Sequence, residues 1–332
     1  MTNFDSVYYE PQVFEYDLGK QLKDKFSSLQ WFQIENHNSI EQMRSRPNSD
    51  FPQMKRHLII GTRKTHKYVP NFKVSDYLVP FTSSGCSAMC LYCYLVCNYN
   101  KCAYLRLFVN REQMLEKLIK FANKQSEPKA FEIGSNSDLV LENTITQNLE
   151  WVIPKFAEQA LGKLTFPTKF HQVDSLLNLD HRGKVIFRMS VNPPNIIKQI
   201  EIGTSLLDQR IEAANKMFHA GYPVGILIAP VILTKNWMEE YSQLLDILRE
   251  KLDSELQNQL IIEIIFMTYS YVQRAINAEA FPTLPSLYDA NLMTGRGMGK
   301  YHYRVAERQF PQEFIKSQIS EKLPKAKIVY IC

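Results

Sequence analysis

Downstream of residue 75, short apolar runs alternate with amphipathic stretches along the chain. The helical stretches, with a period near 3.6, cover residues 110–122, 148–161, 205–220 and 237–252. The apolar runs are hydrophobic on both faces, which is typical of buried parallel strands. They lie at residues 77–81, 130–133, 163–166, 185–191, 224–229 and 261–268. This alternation predicts an α/β protein with βαβ units around one parallel sheet, in the form of a partial (β/α)6 barrel.

The two ends of the chain differ from this central region, which we assign to residues 76–270. Residues 1–75 contain Pro47, Pro52 and Pro70 and a basic run, without a clear helix–strand alternation. They therefore predict an N-terminal extension that packs on the barrel. Residues 271–332 begin with a stretch rich in Tyr, Pro and Gly and continue with GRGMGKYHYR at 295–304.

The C-terminal segment has the composition of a nucleic-acid-binding surface. Arg296, Lys300 and Arg304 can neutralise phosphates, and Tyr301 offers a face on which an extruded base could stack. The alternative is a solvated basic helix whose tyrosines pack inward.

Composition and charge narrow the class of protein. A chain of 332 residues can bury a large core, and its formal net charge of +5 permits an anionic partner without demonstrating one. We find no signal peptide and no apolar run long enough to span a bilayer, so we predict a cytoplasmic protein with no membrane association. No heptad or other self-association pattern is present, so we expect a monomer.

Three cysteines lie close together in the loop that follows the first predicted strand. Cys86, Cys90 and Cys93 have the spacing C-x3-C-x2-C and are followed by Tyr94. Three thiolates on one loop suit an iron–sulfur cluster, and an iron left without a protein ligand can bind a small molecule. The loop resembles the cluster loop of radical S-adenosylmethionine (SAM) enzymes. The alternative is a structural zinc site, but no second cysteine pair follows at the expected distance, and the nearest downstream histidine is His171.

Polar or small residues stand at the ends of the predicted strands, where parallel barrels carry their chemistry. Ser137 lies in the loop GSNSDLVLEN after the second strand, and Lys169 follows the third as a point charge suited to a carboxylate. Ser190 ends the fourth strand, and Ala229 lies late in the fifth, where a small residue lets a flat ring approach the backbone. Each is weak evidence alone, because a lone Lys or Ser at a strand end is commonly a solvated residue.

Longer motifs carry a closer resemblance. The stretches GSNSD, LTFPTKF, RMSVNP, EIGTS, LIAPVI, IIFMTYSYV and MTGRGMGKY resemble, in order and spacing, the spore photoproduct lyase family, from about residue 50 to the end of the chain. That family comprises radical SAM DNA-repair enzymes of spore-forming bacteria. The resemblance implies a 4Fe–4S cluster on Cys86, Cys90 and Cys93. It also implies SAM contacts from the four strand-end residues Ser137, Lys169, Ser190 and Ala229.

The resemblance also implies an activity and partners. The reaction would reverse spore photoproduct (5-thyminyl-5,6-dihydrothymine) to two thymines, through a 5′-deoxyadenosyl radical that takes the C6 hydrogen of the lesion. Tyr92 and Tyr94 look like the family's radical-relay tyrosines, and Lys300 and Tyr301 look like residues that reach into DNA around the lesion. The expected partners are double-stranded DNA containing the lesion and a reductant of flavodoxin or ferredoxin type, in the spore core.

One feature departs from the family pattern. The family's usual hydrogen donor to the thymine radical is a cysteine in the loop after the second strand, but residues 130–140 contain none, and Ser135 stands in its place. A serine O–H bond is too strong to quench a carbon radical, which leaves thiols and phenols. We expect Tyr92, Tyr94 or Cys97 to be the donor, since Cys332 at the chain end would need a long return to the site.

Two other functions remain open at this stage. The chain could be a radical SAM enzyme acting on a different nucleic-acid substrate, or a non-catalytic, metal-stabilised nucleic-acid-binding protein.

Overall fold

The computed structural model describes residues 4–96 and 104–332. The strands, in chain order, are β1 Ser6–Tyr9, β2 Gln30–Gln33, β3 His57–Gly61, β4 Val69–Pro70, β5 Tyr77–Leu78, β6 Ser83–Ser84, β7 Arg106–Phe108, β8 Ala130–Glu132, β9 Lys163–Thr168, β10 Val185–Val191, β11 Val224–Val231, β12 Ile261–Phe266, β13 Thr268–Ser270, β14 Met293–Gly297, β15 Lys300–Tyr303 and β16 Lys327–Ile331.

Helices fill most of the connections between these strands. In chain order they are α1 Asp17–Lys25, α2 Glu41–Arg44, α3 Phe51–Met54, α4 Arg111–Ala122, α5 Leu139–Thr146, α6 Asn148–Gln159, α7 Pro194–Gln199, α8 Leu207–His219, α9 Trp237–Lys251, α10 Ser254–Asn258, α11 Tyr271–Ala280 and α12 Val305–Lys322. Short 3-10 turns occupy Pro11–Glu15, Asn48–Asp50 and Asp174–Leu176. Within the described ranges, no helix is both long and apolar enough to cross a membrane.

The central region forms one curved sheet with the order β16-β12-β11-β10-β9-β8-β5-β4. Every neighbouring pair from β5 to β16 is parallel, and only the β4–β5 pair is antiparallel. All six predicted strands lie in this sheet, so the predicted partial barrel is confirmed. β16, which adds a seventh parallel strand at the edge, was not predicted.

Helices cover the outside of this sheet because one face of each is apolar. In α9, for example, Tyr241, Leu244, Leu245 and Leu248 are buried, which is the i, i+3, i+4, i+7 spacing of a core-facing helix. These side chains join the largest apolar core of the protein, which also contains the outward-facing residues of β8 to β12.

The inside of the barrel carries a buried charge cluster. Arg188 of β10 donates from Nε and Nη2 to Glu263 of β12 at 2.7 Å each, and from Nη1 to Glu132 of β8 at 2.6 Å. Side chains two positions apart on a strand share a face. Ser190 therefore lies one layer above Arg188, toward the carboxyl ends of the strands.

The N-terminal residues form a second, smaller sheet with the order β2-β1-β3-β7-β6. β1 pairs in parallel with β2 and β3, and α1 connects β1 to β2 as in a βαβ unit. The expectation that residues 1–75 lack helix–strand alternation is therefore wrong. These strands are four or five residues long, too short for a clear period. β6 and β7 complete this sheet from beyond residue 75, so that boundary does not separate the two sheets.

β14 and β15 of the C-terminal segment join β13, which precedes residue 271, in a three-stranded antiparallel sheet with the order β13-β15-β14. β14 and β15 form a hairpin whose paired ends are Gly297 and Lys300. The alternative of a basic helix over 295–304 is thus excluded, and the helix α12 begins only after the hairpin.

Candidate active site at the carboxyl ends of the barrel strands

A cavity of about 610 Å³ opens at the carboxyl ends of the barrel strands. Its walls come from the cluster loop, from the ends of β8 to β12 and from the C-terminal hairpin. Predicted site residues that line it are Cys86, Cys90, Tyr92, Cys93, Tyr94, Ser137, Lys169, Ser190, Ala229, Arg296 and Lys300. The structure therefore brings the predicted cluster ligands, the predicted SAM contacts and part of the predicted DNA segment to one cavity.

The loop that carries the three cysteines is held by its backbone. The Met89 and Leu91 amides donate to the carbonyls of Ile202 and Ile200 at 2.8 and 2.9 Å, so the loop pairs with residues 200–202. From the other side, the buried Lys55 ammonium donates to the Cys86 carbonyl at 2.7 Å. The loop therefore has fixed supports on both the barrel and the N-terminal sheet.

The chemistry of the three thiols fits a metal cluster. Burial raises the pKa of Cys86 to about 12 and raises that of Cys90 as well, so both thiols are neutral unless a metal displaces their protons. Among the described residues, no three Cys, His, Asp or Glu side chains converge closely enough to share one metal ion. An iron–sulfur cluster does not need such convergence, because each thiolate binds its own iron.

Lys169 connects the predicted SAM contacts. Its ammonium donates to Ser190 Oγ at 2.6 Å and to the Ala229 carbonyl at 2.7 Å, and Ser190 Oγ donates to the same carbonyl at 2.9 Å. The Lys169 side chain is 19% exposed, so its charge faces the cavity from a largely desolvated position.

A carboxylate that the sequence analysis missed lies behind Lys169. Glu201, whose side chain is fully buried, is 3.1 Å from Lys169 Nζ and accepts hydrogen bonds from Arg210 Nη2 at 2.6 Å and Asn192 Nδ2 at 2.8 Å. It also accepts from the Tyr92 hydroxyl. Burial alone would raise the pKa of Glu201, but the charges of Lys169 and Arg210 outweigh it and hold the pKa at about 2. Glu201 stands in the stretch EIGTS, but no local pattern marks it as part of the site.

Ser137 is held by a hydrogen bond to Ser83. Its Oγ is 2.7 Å from Ser83 Oγ, and Ser83 also lies 2.5 Å from the buried Glu142 carboxylate. The neighbouring Asp138 caps α5 and accepts from the Lys169 amide at 2.9 Å. The loops after β8 and β9 are therefore connected directly, which the sequence did not indicate.

The two tyrosines beside the last cysteine differ in their surroundings. The Tyr92 hydroxyl is buried against Glu201, whereas Tyr94 is 51% exposed and its hydroxyl donates to the Ser135 carbonyl. Burial and the Glu201 carboxylate both raise the pKa of Tyr92. Tyr94 therefore joins the cluster loop to the loop in which the family's donor cysteine is expected.

The candidate thiol donors lie in different parts of the chain. Cys97 falls outside the described residues. The chain end does return to the barrel, because the Cys332 amide donates to the Ile264 carbonyl at 3.0 Å and the Phe266 amide donates to the Cys332 carbonyl at 2.7 Å. This pairing sets Cys332 opposite Ile265, which lines the cavity. The chain end thus returns to the edge of the barrel, but Cys332 is not among the residues that line the cavity, and its Sγ accepts from Lys73 Nζ at 3.2 Å.

The predicted DNA residues divide into two groups. Arg296 and Lys300 line the cavity. Tyr301 instead packs against both Tyr271 and Tyr288, with ring centroids at 4.2 and 4.3 Å and tilted ring planes, and is half-buried. The exposed residue Arg304 donates from Nη2 to the Ala290 carbonyl at 3.0 Å and supports the base of the hairpin.

A partial (β/α)6 barrel with three cysteines on the loop after its first strand, beside a largely buried lysine at a strand end, defines a protein of the radical SAM class. A family model described as spore photoproduct lyase matches residues 3–332. The chain belongs to the spore photoproduct lyase family.

Individual relatives agree over nearly the full length. A spore photoproduct lyase of Bacillus subtilis (strain 168) is 36% identical over 333 residues, covering 98% of this chain and 97% of the relative. One of Geobacillus sp. (strain Y412MC61) is 31% identical, again covering 98% and 97%.

Solved structures give the same result. A spore photoproduct lyase complexed with dinucleoside spore photoproduct has a TM-score of 0.91 and 29% identity, covering 100% of this chain and 99% of the other. A double mutant of the enzyme, with bound AdoMet (SAM) and dinucleoside spore photoproduct, also has a TM-score of 0.91 and 29% identity, covering 100% of both chains.

Proposed function

We propose that this protein repairs DNA by reversing spore photoproduct to two thymines, as a radical SAM carbon–carbon lyase. The observation that carries the proposal is the single cavity in which three cysteines, the cationic Lys169 and the cationic hairpin meet. The relatives crystallised with AdoMet and with dinucleoside spore photoproduct support the same assignment of cofactor and substrate.

Cys86, Cys90 and Cys93 would hold a 4Fe–4S cluster. When bound, the reduced cluster and SAM supply a 5′-deoxyadenosyl radical that takes hydrogen from the substrate. The protein's part is to bind and orient. Lys169 is suited to the SAM carboxylate, because its ammonium reaches the cavity and Glu201 keeps it in place from behind.

The remaining predicted contacts surround the same space. Ser137 and Ser190 offer hydroxyl groups to SAM, and Ala229 leaves room beside the strand for its nucleoside. Closing this site around the lesion excludes water from the radical, which would otherwise meet side reactions.

The rim of the cavity, at Arg296 and Lys300, binds duplex DNA that contains the lesion. Arg296 and Lys300 meet phosphates where the duplex crosses the cavity, and the crosslinked thymine pair leaves the stack to enter it. A reductant of flavodoxin or ferredoxin type supplies the electron, and the protein acts as a monomer in the cytoplasm of the spore core.

The test is incubation of anaerobically reconstituted protein with dinucleoside spore photoproduct, SAM and dithionite. We expect thymidine and 5′-deoxyadenosine as products. Formation of 5′-deoxyadenosine without thymidine would instead favour a radical SAM enzyme for another nucleic-acid substrate. Absence of iron and sulfide after reconstitution would favour the non-catalytic alternative.

A further inference from the structure

The tip of the C-terminal hairpin carries an unusual residue. Gly297 pairs with Lys300, so Met298 and Gly299 are the two central residues of the turn. Both have positive φ, 51° and 70°, which is the signature of a type I′ turn. Such turns favour Asn-Gly or Gly-Gly, since a large side chain is disfavoured in the left-handed region.

Met298 is also exposed to solvent almost completely. Its relative exposure is 96%, at the rim of the cavity between two cations, Arg296 and Lys300. No acidic residue occurs between Asp289 and Glu307. Turn chemistry would place a small polar residue here, so a strained and exposed apolar side chain indicates a contact that forms only with a partner.

The aromatic residue nearest the tip does not supply that contact. Tyr301 packs against the rings of Tyr271 and Tyr288, and its hydroxyl accepts from Arg274 at 3.0 Å. These contacts already hold the Tyr301 ring in place within the hairpin. Tyr301 therefore stabilises β15 within the hairpin, whereas Met298 stands in the turn at the tip of the hairpin.

We propose that Met298 is an apolar wedge that enters the base stack of duplex DNA and fills the space left when the lesion moves into the cavity. Proteins that kink a duplex insert side chains of this type, methionine among them, between base steps. Arg296 and Lys300 would hold the phosphates on either side. The inference rests on the proposed function, because it assumes that the lesion is extruded from duplex DNA into the same cavity.

The test compares a substrate that needs opening with one that does not. Spore photoproduct in a duplex must be extruded, whereas the dinucleoside is already free. Met298→Asn removes the wedge but keeps a residue that tolerates positive φ, and Met298→Leu keeps the apolar bulk. Met238→Asn, at a methionine that is 45% exposed on α9, controls for loss of an exposed apolar side chain elsewhere.

We expect Met298→Asn to slow repair of the duplex by about tenfold and to leave repair of the dinucleoside unchanged. Met298→Leu should keep most of the duplex activity, and Met238→Asn should alter neither substrate. Equal loss on both substrates, no loss on the duplex, or a Leu variant as defective as the Asn variant would overturn the wedge.

A second measurement tests insertion of Met298 into the base stack independently of the repair reaction. With 2-aminopurine opposite the lesion, unstacking raises its fluorescence, and binding of wild-type protein should produce that rise without SAM or reductant. Met298→Asn should lose most of the rise at saturating protein, and an undiminished rise would overturn the proposal. Failure of the wild type to repair the dinucleoside would contradict the proposed function, and the fluorescence would still decide the wedge.

Discussion

The Lys169 side chain, in the wall of the cavity, makes polar contacts with several groups at once. Its ammonium contacts Ser190, the Ala229 carbonyl and Glu201. An ammonium has three N–H donors, so a SAM carboxylate has to replace or share one of these contacts, but the side chain is already held in place before any ligand arrives. Pre-orientation of this kind lowers the entropic cost of binding a carboxylate. The lysine was predictable from the sequence because it follows a buried strand, whereas its counter-charge was not.

We expect Lys169→Ala to weaken SAM binding by roughly tenfold to a hundredfold. A charge-assisted hydrogen bond lost from a partly buried site costs about 1.5–3 kcal/mol. Lys184→Ala is the matched control. Lys184 also donates to two backbone carbonyls, but it precedes β10 and lies at the end of the barrel strands away from the cavity. Equilibrium binding of SAM to the reconstituted proteins measures the difference, and equal affinities in the two variants would remove Lys169 from the site.

Glu201 should contribute strongly to stability. Removing one partner of a buried ion pair costs about 3–5 kcal/mol, and both Glu201 and Arg210 are fully buried. Glu201→Gln should therefore lower the free energy of unfolding, measured in urea at pH 7, by about that amount. Glu212→Gln, at a side chain that is 66% exposed, should change it little.

The same carboxylate predicts a pH dependence. Its pKa is about 2 in the folded protein against an ordinary 4.5, so its contribution is complete above about pH 4.5 and is lost as the pH falls toward 2. In Glu201→Gln this component should be missing, and the stability difference between the two proteins should shrink over that range. A difference that stays constant down to pH 2 would contradict the assignment.

The strands and loops of the barrel were predictable to different degrees. β10 and β11 are seven and eight residues long and mostly apolar, with Arg188 and Ser190 as the polar residues of β10, so their pattern was visible. The pairing of the cluster loop with residues 200–202 was not, because contacts between distant loops leave no local period. The hairpin was missed as an element for a related reason, since its strands are short and rich in glycine and cations.

The loop after β8 contains no cysteine that could quench the product radical. Ser135 stands where a donor cysteine is expected, and the Tyr94 hydroxyl donates to its carbonyl. We expect Ser135→Cys to raise the yield of repair and to suppress sulfinate adducts formed with dithionite, since a thiol gives up hydrogen more readily than a serine hydroxyl. Product analysis by mass spectrometry measures both quantities.

Ser317→Cys, which adds a thiol on the exposed face of α12, is the control for this change. An equal gain from Ser317→Cys would mean that any added thiol suffices. Clean repair by the wild type, unchanged in Ser135→Cys, would mean that an efficient donor already exists elsewhere.

At the scale of the whole molecule, the cavity that contains the three cysteines is bordered by two cations, Arg296 and Lys300. Counterion release makes the affinity for DNA fall with salt, with a slope of about 0.9 per neutralised phosphate. We expect the double variant Arg296→Ala, Lys300→Ala to reduce the salt slope by about two. Lys316→Ala, at a lysine paired with Glu313 on α12, should leave the slope unchanged.

Binding curves for lesion-containing duplex between 50 and 200 mM salt supply these slopes. A double variant with the wild-type slope would show that the phosphates meet another surface.

The most direct test of radical SAM repair by this protein follows the hydrogen at C6 of spore photoproduct. Spore photoproduct carrying deuterium at C6 is incubated with the reconstituted protein, SAM and dithionite, and with Cys90→Ala as the variant that lacks a cluster ligand. The account predicts thymidine together with deuterium in the recovered 5′-deoxyadenosine or SAM, and neither product from Cys90→Ala. Thymidine formed without transfer of the label, or formed equally by Cys90→Ala, would contradict radical SAM repair at this cavity.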